Sequence, residues 1–349
     1  MIRIGVHATI AAADRGWRRH DHLGASGMPT SNAPILLVLG CTASGKSELA
    51  LTLAESLRSG AIVSADSMQI WRGLDIGTAK PSAAEQTRVP HHLIDLVDPH
   101  DRSARFNVAE WLAAAQSAID AIAAGGGTPV VVGGTNLYAQ ALLHGLFTAP
   151  SSEPGLRQDL ESLETTALRA ELQRVDPESA ARIHAADRRR ILRAVEVHRS
   201  TGRPLSALQT QWSSEDSPLA ARVRIVGLER STGIANGRIN RRVAAMLEAG
   251  WLEEVRRLLA RGPLHRQPAE AVGYRELAEV LAGRRSIEDA TEAIKIRTRR
   301  YAKQQRTWMK RFRVRPGSIW IEAGDRSSGD FCSDVLARLE SLRGGSNPD

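Results

Sequence analysis

Apolar runs and polar interruptions alternate regularly from residue 33 onward. Residues 33–40 (APILLVLG) form an unbroken apolar run ending at a glycine, the signature of a strand buried on both faces. The following KSELALTLAES, with the residue after it, places Leu49, Leu53 and Leu57 four residues apart, which is helix spacing. Further strand-like runs occur at 61–64 (AIVS), 129–132 (PVVV), 222–228 (RVRIVGL) and 318–322 (SIWIE). Residues 107–124 predict an amphipathic helix stopped by Gly125, Gly126 and Gly127. Short buried strands alternating with helices predict an α/β fold, a parallel sheet with both faces covered.

The pattern changes after residue 150. Residues 151–213 show no strand period but several helical ones, at 156–174 and 177–201, until Gly202-Arg203-Pro204 breaks the run. Long helical patterns return at 239–261 and 290–311. The chain therefore divides into a disordered extension at 1–32, a first core part at 33–150 and a helical insertion domain at 151–213. A second core part with a basic helix follows at 214–325, then a C-terminal helix and frayed tail at 326–349. Met28 offers an alternative start, and the residues before it lack a signal-peptide core.

No apolar run approaches the ~20 residues of a membrane helix, so no membrane partner is expected. Two cysteines, Cys41 and Cys332, frame no disulfide scaffold and suit a cytoplasmic setting. The net charge of +8 is unevenly spread. Seven Arg face two acids between Arg182 and Arg203, and twelve Lys and Arg face three acids between Arg284 and Arg315. Such patches suit a polyanion, although solvated helix faces give the same counts.

The most specific local signal is Gly40-Cys41-Thr42-Ala43-Ser44-Gly45-Lys46-Ser47, which fits G-x-x-x-x-G-K-[ST] between a strand and a helix. Backbone N–H groups, the helix N-terminus and Lys46 there converge on linked phosphates, and Ser47 is a candidate Mg²⁺ ligand. Phosphate-hydrolysing and kinase sites of this type carry an acid at the end of a neighbouring strand. Here the run at 129–132 ends in Gly133-Gly134-Thr135, whereas the run at 61–64 leads to Asp66. At a strand's carboxyl end Asp66 is either a site residue or a turn cap. A P-loop kinase of a nucleotide or small molecule remains an alternative at this point, as does a non-catalytic RNA-binding protein.

The chain also resembles the tRNA dimethylallyltransferase (tRNA isopentenyltransferase) family. The resemblance rests on GCTASGKS at 40–47, SADSMQIWRGLDIGTAKP at 64–81, PHHLID at 90–95 and GGTNLYAQALLHGL at 133–146. It continues through DPESAARIHAADRRRILRAVEV at 176–197, VGYRE at 272–276 and TRRYAKQQRTW at 298–308. It implies a P-loop NTPase-like core with a parallel sheet and a tRNA-binding helical insertion, acting as a cytoplasmic monomer. It implies transfer of a dimethylallyl group from dimethylallyl diphosphate to N6 of adenosine 37, in tRNAs reading codons that begin with U. Mg²⁺ is the implied cofactor and the anticodon stem-loop the implied partner surface.

By the same resemblance, Asp66 is the general base, Lys46 and Arg242 are catalytic cations, and Thr42 contacts substrate. The tRNA-contacting positions map onto Asp66, Ser67, Met68 and Gln69, onto Thr135 and Arg157, and onto Arg189, Arg190, Ile191, Leu192 and Arg193. They continue at Glu270, Ala271, Val272, Gly273, Tyr274 and Arg275. Three positions depart from the family pattern: Cys41 for a common Pro, Asn136 for a common Gly, and Gln304 for an Arg. Cys41 lies at a helix N-terminus, where thiols become reactive, so alkylation there is expected to inhibit. A relative acting on free adenine nucleotides is disfavoured by the long insertion and the two basic runs.

Overall fold

The computed structural model describes residues 33–104, 106–146, 155–208, 217–327 and 329–344. The extension read at residues 1–32 and the tail beyond 344 lie outside the described residues, as do the two ends of the insertion. The core opens with β1 (Ile35–Gly40), α1 (Lys46–Ser56), β2 (Ala61–Ser64), α2 (Ala83–Arg88) and β3 (His91–His92). It continues with α3 (Val108–Ala124), β4 (Pro129–Gly133) and α4 (Asn136–His144). The second unit comprises α5 (Leu156–Ser162), α6 (Thr165–Val175), α7 (Pro177–Arg182), α8 (Arg188–Thr201) and α9 (Leu205–Leu208). The core resumes with β5 (Val223–Glu229), α10 (Thr232–Glu248), α11 (Trp251–Ala260), α12 (Arg266–Ala269) and α13 (Tyr274–Leu281). It closes with α14 (Ile287–Arg313), β6 (Ile319–Glu322) and α15 (Cys332–Gly344).

All strand pairs are parallel, and the spatial order is β3-β2-β4-β1-β5-β6. Side chains alternate across a sheet, so odd and even positions of β1 enter different cores. Ile35, Leu37 and Leu39 join Val63, Val131 and Ile225 beneath α3, α4, α10, α11, α13 and α14. Leu36 and Val38 join Ile62, Val130, Val132 and Val226 beneath α1 and α15. That two-sided burial is why the strands read as continuous apolar runs. Helices α5–α9 enclose an apolar core of their own, built on Leu160, Leu168, Leu172, Ile191 and Val195.

Three helical runs divide where the sequence shows one. The pattern at 156–174 breaks at Leu163, which is extended and ends α5. The pattern at 177–201 breaks after α7, and α8 restarts where the Asp187 carboxylate accepts the Arg190 N–H. The pattern at 239–261 begins earlier, capped by Ser231, and breaks at Gly250, whose φ of 94° only glycine adopts without strain. The two-residue β3 and helices α2, α12 and α13 are too short for a periodic signal.

Candidate active site

Parallel strands deliver their loops to one edge, so the carboxyl ends of β1, β2 and β4 meet there. After β1 the chain wraps into the phosphate loop. Ala43 (φ 61°) and Gly45 (φ 97°) are left-handed, which closes the loop into a concave nest. The Ser44 N–H closes a turn on Cys41 O at 3.1 Å, and the buried Ser44 Oγ accepts the Lys46 N–H at 3.3 Å. A side chain on Gly40 would meet Ser44 Oγ at 2.4 Å, so the first loop position admits only glycine.

After β2, Asp66 Oδ1 accepts the Met68 N–H at 2.8 Å, which fixes the turn. Thr135, after β4, accepts the Ser67 N–H on Oγ1 at 3.1 Å. Gln69 accepts from Ser64 Oγ at 2.9 Å and donates to Ala79 O at 3.1 Å. The β2 loop is thereby tied to the turn at 75–80, and Gln69's amide is spent on that tie.

The turn at 75–80 forms one wall of the site and hangs on a buried carboxylate. Glu254 of α11 is 3% exposed and accepts the N–H groups of Asp75 (3.1 Å), Ile76 (2.7 Å) and Gly77 (3.4 Å), with Tyr274 Oη at 2.6 Å. The Trp251 ring is wedged between two glycines. A Cβ on Gly77 would lie 2.2 Å from its Nε1, and one on Gly273 2.0 Å from its ring. Lys80 Nζ joins the same turn to the next motif, bonding Asp75 at 2.7 Å, Asp95 at 2.5 Å and Trp71 O at 2.9 Å. Buried Gln305 of α14 bridges two loops, accepting the Thr42 N–H and donating to Gly134 O, each at 2.8 Å.

These elements enclose a cavity of about 330 Å³. Its lining joins the polar Lys46, Ser47, Asp66 and Arg242 to the apolar and aromatic Met246, Trp251, Val272 and Tyr301, the last with its hydroxyl reaching Gly134 O. A second opening of about 520 Å³ shares Lys46, Ser47, Ala79 and Arg242 with it and adds Arg238 and Arg241 beside the carboxylates Glu48 and Glu85. Burial lowers the Lys46 pKa, the Arg242 guanidinium lowers it further, and the Asp66 carboxylate opposes both. Arg242 is pulled down by burial, again opposed by Asp66. Two cations crowded together with one carboxylate form a site that an anion would relax.

The cavity brings together Thr42, Lys46, Ser47, Asp66, Ser67, Met68, Gln69, Arg242, Glu270, Ala271, Val272 and Tyr274. Ala43 and Gly45 line the second opening. Arg275 lies outside the cavity, pairing with Glu270 at 3.5 Å and Glu276 at 3.6 Å. Arg157 and Arg193 belong to the helical unit, where both reach Glu196, at 3.3 and 2.8 Å. Arg189 and Arg190 are exposed beside them. Ile191 and Leu192 are 0% and 2% exposed in that unit's apolar core, so they are structural and any contact with RNA falls to the arginines around them.

Cys41 is corrected likewise. It is 1% exposed and packed in the core under the sheet, out of reach of an alkylating reagent. Gln304 is exposed on α14, and the residue that reaches the phosphate loop is its neighbour Gln305. Sequence reasoning missed Gln305, Tyr301, Trp251 and Glu254. For Trp251 the available signal was a pair of glycines in two separate motifs, each leaving room for one ring.

Ser47 is exposed at the N-terminus of α1 and lines both cavities. Among the described residues no three His, Cys, Asp or Glu cluster as metal ligands. Magnesium in a phosphate loop takes its oxygens from a hydroxyl, the phosphates and water, so the residues present fit that mode. No helix among the described residues is long and apolar enough to cross a membrane.

A family model described as IPP transferase matches residues 69–312. The tRNA dimethylallyltransferase of Halorhodospira halophila is 48% identical over 314 residues, 88% of this chain and 98% of that one. That of Syntrophobacter fumaroxidans is 44% identical over 310 residues, 87% and 88% of the two chains. The crystal structure of the Bacillus halodurans tRNA isopentenylpyrophosphate transferase superposes with a TM-score of 0.62 at 34% identity, covering 89% of this chain and 98% of that chain. A eukaryotic dimethylallyltransferase captured acting on tRNA reaches 0.74 at 26% identity, covering 89% and 79%.

Proposed function

The chain belongs to the IPP transferase family, and on that premise we propose that it transfers a dimethylallyl group from dimethylallyl diphosphate to the exocyclic N6 of an adenosine in tRNA. The observation that carries this reading is the composition of the 330 Å³ cavity. It joins phosphate-binding cations, Lys46 and Arg242, to a carboxylate, Asp66, and to an aromatic and aliphatic wall that suits a prenyl chain and a base.

As the C1–O bond to diphosphate breaks, the bonding pair leaves on a diphosphate oxygen and the prenyl carbon becomes cationic. Lys46, Arg242 and the loop N–H groups stabilise the charge on the leaving group. Ser47 would hold Mg²⁺, which would supply further neutralisation of that charge. The N6 lone pair, delocalised into the ring, forms the new C–N bond. Its proton then becomes acidic and passes to Asp66, a transfer that requires hydrogen-bond reach. The Met68 N–H on Oδ1 fixes the orientation of that carboxylate.

Adenosine 37, beside the anticodon, is the proposed acceptor, as the family resemblance implies, and a base must leave its stack to enter a cavity of this kind. Extrusion costs on the order of a few kcal/mol and least in a loop. Arg189, Arg190 and Arg193 would meet the anticodon stem's phosphates, which position without reading sequence. The test is incubation of the protein with Mg²⁺, dimethylallyl diphosphate and unmodified tRNA bearing adenosine 37, followed by digestion and mass analysis. Prenylated adenosine at position 37 with the wild type, and a loss of about 10²-fold or more with Asp66→Asn, are expected. No product from the wild type would overturn the reading. Equal product from the variant would remove Asp66 from its role.

A further inference from the structure

Arg230, at the end of β5, is 5% exposed, lines neither cavity and has no carboxylate within ion-pair distance among the described residues. All three of its bonds go to carbonyls. Nε donates to Ser44 O at 2.6 Å, Nη2 to Arg326 O at 2.9 Å, and Nη1 to Gly324 O. We propose that Arg230 is a positioning residue for the diphosphate, acting through the Ser44–Gly45 peptide of the phosphate loop. The proposal rests on the reading that this loop binds a diphosphate.

In a planar trans peptide the C=O and N–H point in opposite directions. A guanidinium that holds Ser44 O on the outer side of the loop therefore aims the Gly45 N–H to the inner side. That inner side is where Gly45, Lys46 and Ser47 line the second opening. Gly45, at φ 97°, is the residue type that tolerates this peptide orientation. Arg238 holds the preceding carbonyl, with Nε donating to Ala43 O at 2.9 Å, but the N–H of that peptide, Ser44's, is spent on Cys41 O. Arg238 also lines the opening and can meet a ligand itself, whereas Arg230 acts only from behind.

Electrostatics points the same way. A buried guanidinium bonded only to carbonyls has lost its hydration without gaining a counter-ion. Glu48 and Asp325, the acids that favour its charged form, are both exposed, and Arg238 disfavours it. An anion on the inner face of the loop would supply the missing charge across one peptide. The same three bonds pin residues 324–326, ahead of α15, to the loop. The C-terminal segment thus takes part in holding the phosphate nest.

The test compares wild type, Arg230→Lys and Arg230→Met. Calorimetry with inorganic diphosphate and Mg²⁺, without tRNA, reads binding at the loop. Steady-state transfer reads KM for dimethylallyl diphosphate and KM for tRNA separately. Arg230→Met is expected to weaken diphosphate binding about tenfold, the loss of one charge-assisted contact network, and to raise KM for the prenyl donor in parallel. The tRNA KM stays within about twofold. Arg230→Lys, which keeps the charge but not the three-way fork, is expected to fall between the two. A scaffold role alone would move both KM values with the urea midpoint and would show no such ordering.

Where Arg230→Met does not fold, the Arg230→Lys variant carries the comparison. Diphosphate affinity within twofold of wild type in the folded variant overturns the inference. Wild-type protein that fails to bind diphosphate, or whose binding is indifferent to Lys46→Met, overturns the underlying reading instead.

Discussion

Glu254 offers a direct test of how the cavity wall is held. Its Oε2 accepts from Asp75 and Ile76 at 3.1 and 2.7 Å, and its Oε1 from Tyr274 Oη at 2.6 Å and from Gly77 at 3.4 Å. In Glu254→Gln the amide settles best with its oxygen toward Asp75 and Ile76. The NH2 then faces Tyr274, whose hydroxyl can turn to accept, and opposes the Gly77 N–H. Charge assistance is lost on two bonds, one is reversed and the weakest is broken, a cost of about 2–3 kcal/mol. Glu254→Leu strands three backbone donors and a buried hydroxyl, each costing roughly 1–3 kcal/mol where water cannot reach, so at least about 4 kcal/mol is expected. Urea unfolding with an unchanged slope should rank wild type above Gln above Leu. Residues 77–79 line the cavity, so the Gln variant should also lose transfer activity while still folded. A Leu variant within about 0.5 kcal/mol of wild type would refute the reasoning, because a buried carboxylate with four donors could not then be anchoring the turn.

Gly273→Ala places a methyl 2.0 Å from the Trp251 ring at φ 93° and should cost about 2–5 kcal/mol, read as a fall in Tm. Arg189→Ala and Arg190→Ala should weaken tRNA binding and each flatten its log–log salt dependence by about one unit, while diphosphate calorimetry stays unchanged. Burial holds His91, His92 and His265 below the ordinary histidine pKa of 6.5. The unfolded chain then binds protons that the folded one refuses, so stability is full above about pH 6.5 and falls as the pH drops through that value. Urea midpoints at pH 7.5 and 5.5 should show this, and His92→Gln should flatten the difference.

The phosphate loop was legible because its chemistry is local. Gly40, Gly45 and Lys46 act through eight consecutive residues between a strand and a helix, and backbone geometry leaves few alternatives at those positions. The central strands β1 and β4 were legible for a similar reason, since burial on both faces demands unbroken apolar runs. Helix ends were less so. Leu163 ends α5 without glycine or proline, and its side chain packs on the apolar core that α5–α9 share.

The sequence by itself therefore determined five strands of a parallel sheet and the phosphate nest with its Lys46, because these follow from short-range periodicity and backbone stereochemistry, whereas the role of Asp66 and the choice of Arg242 came only from the family resemblance. Only the tertiary structure decided which residues shape the cavity. Gln305 lies 263 positions from Thr42, Arg230 186 positions from Ser44, and Glu254 some 178 from Ile76. It also decided that Cys41, Ile191 and Leu192 are packing residues, since the direction in which a side chain points depends on what the rest of the chain places beside it. Those contacts join elements that no local pattern relates, and their energies appear only once the sheet has brought the loops to one edge.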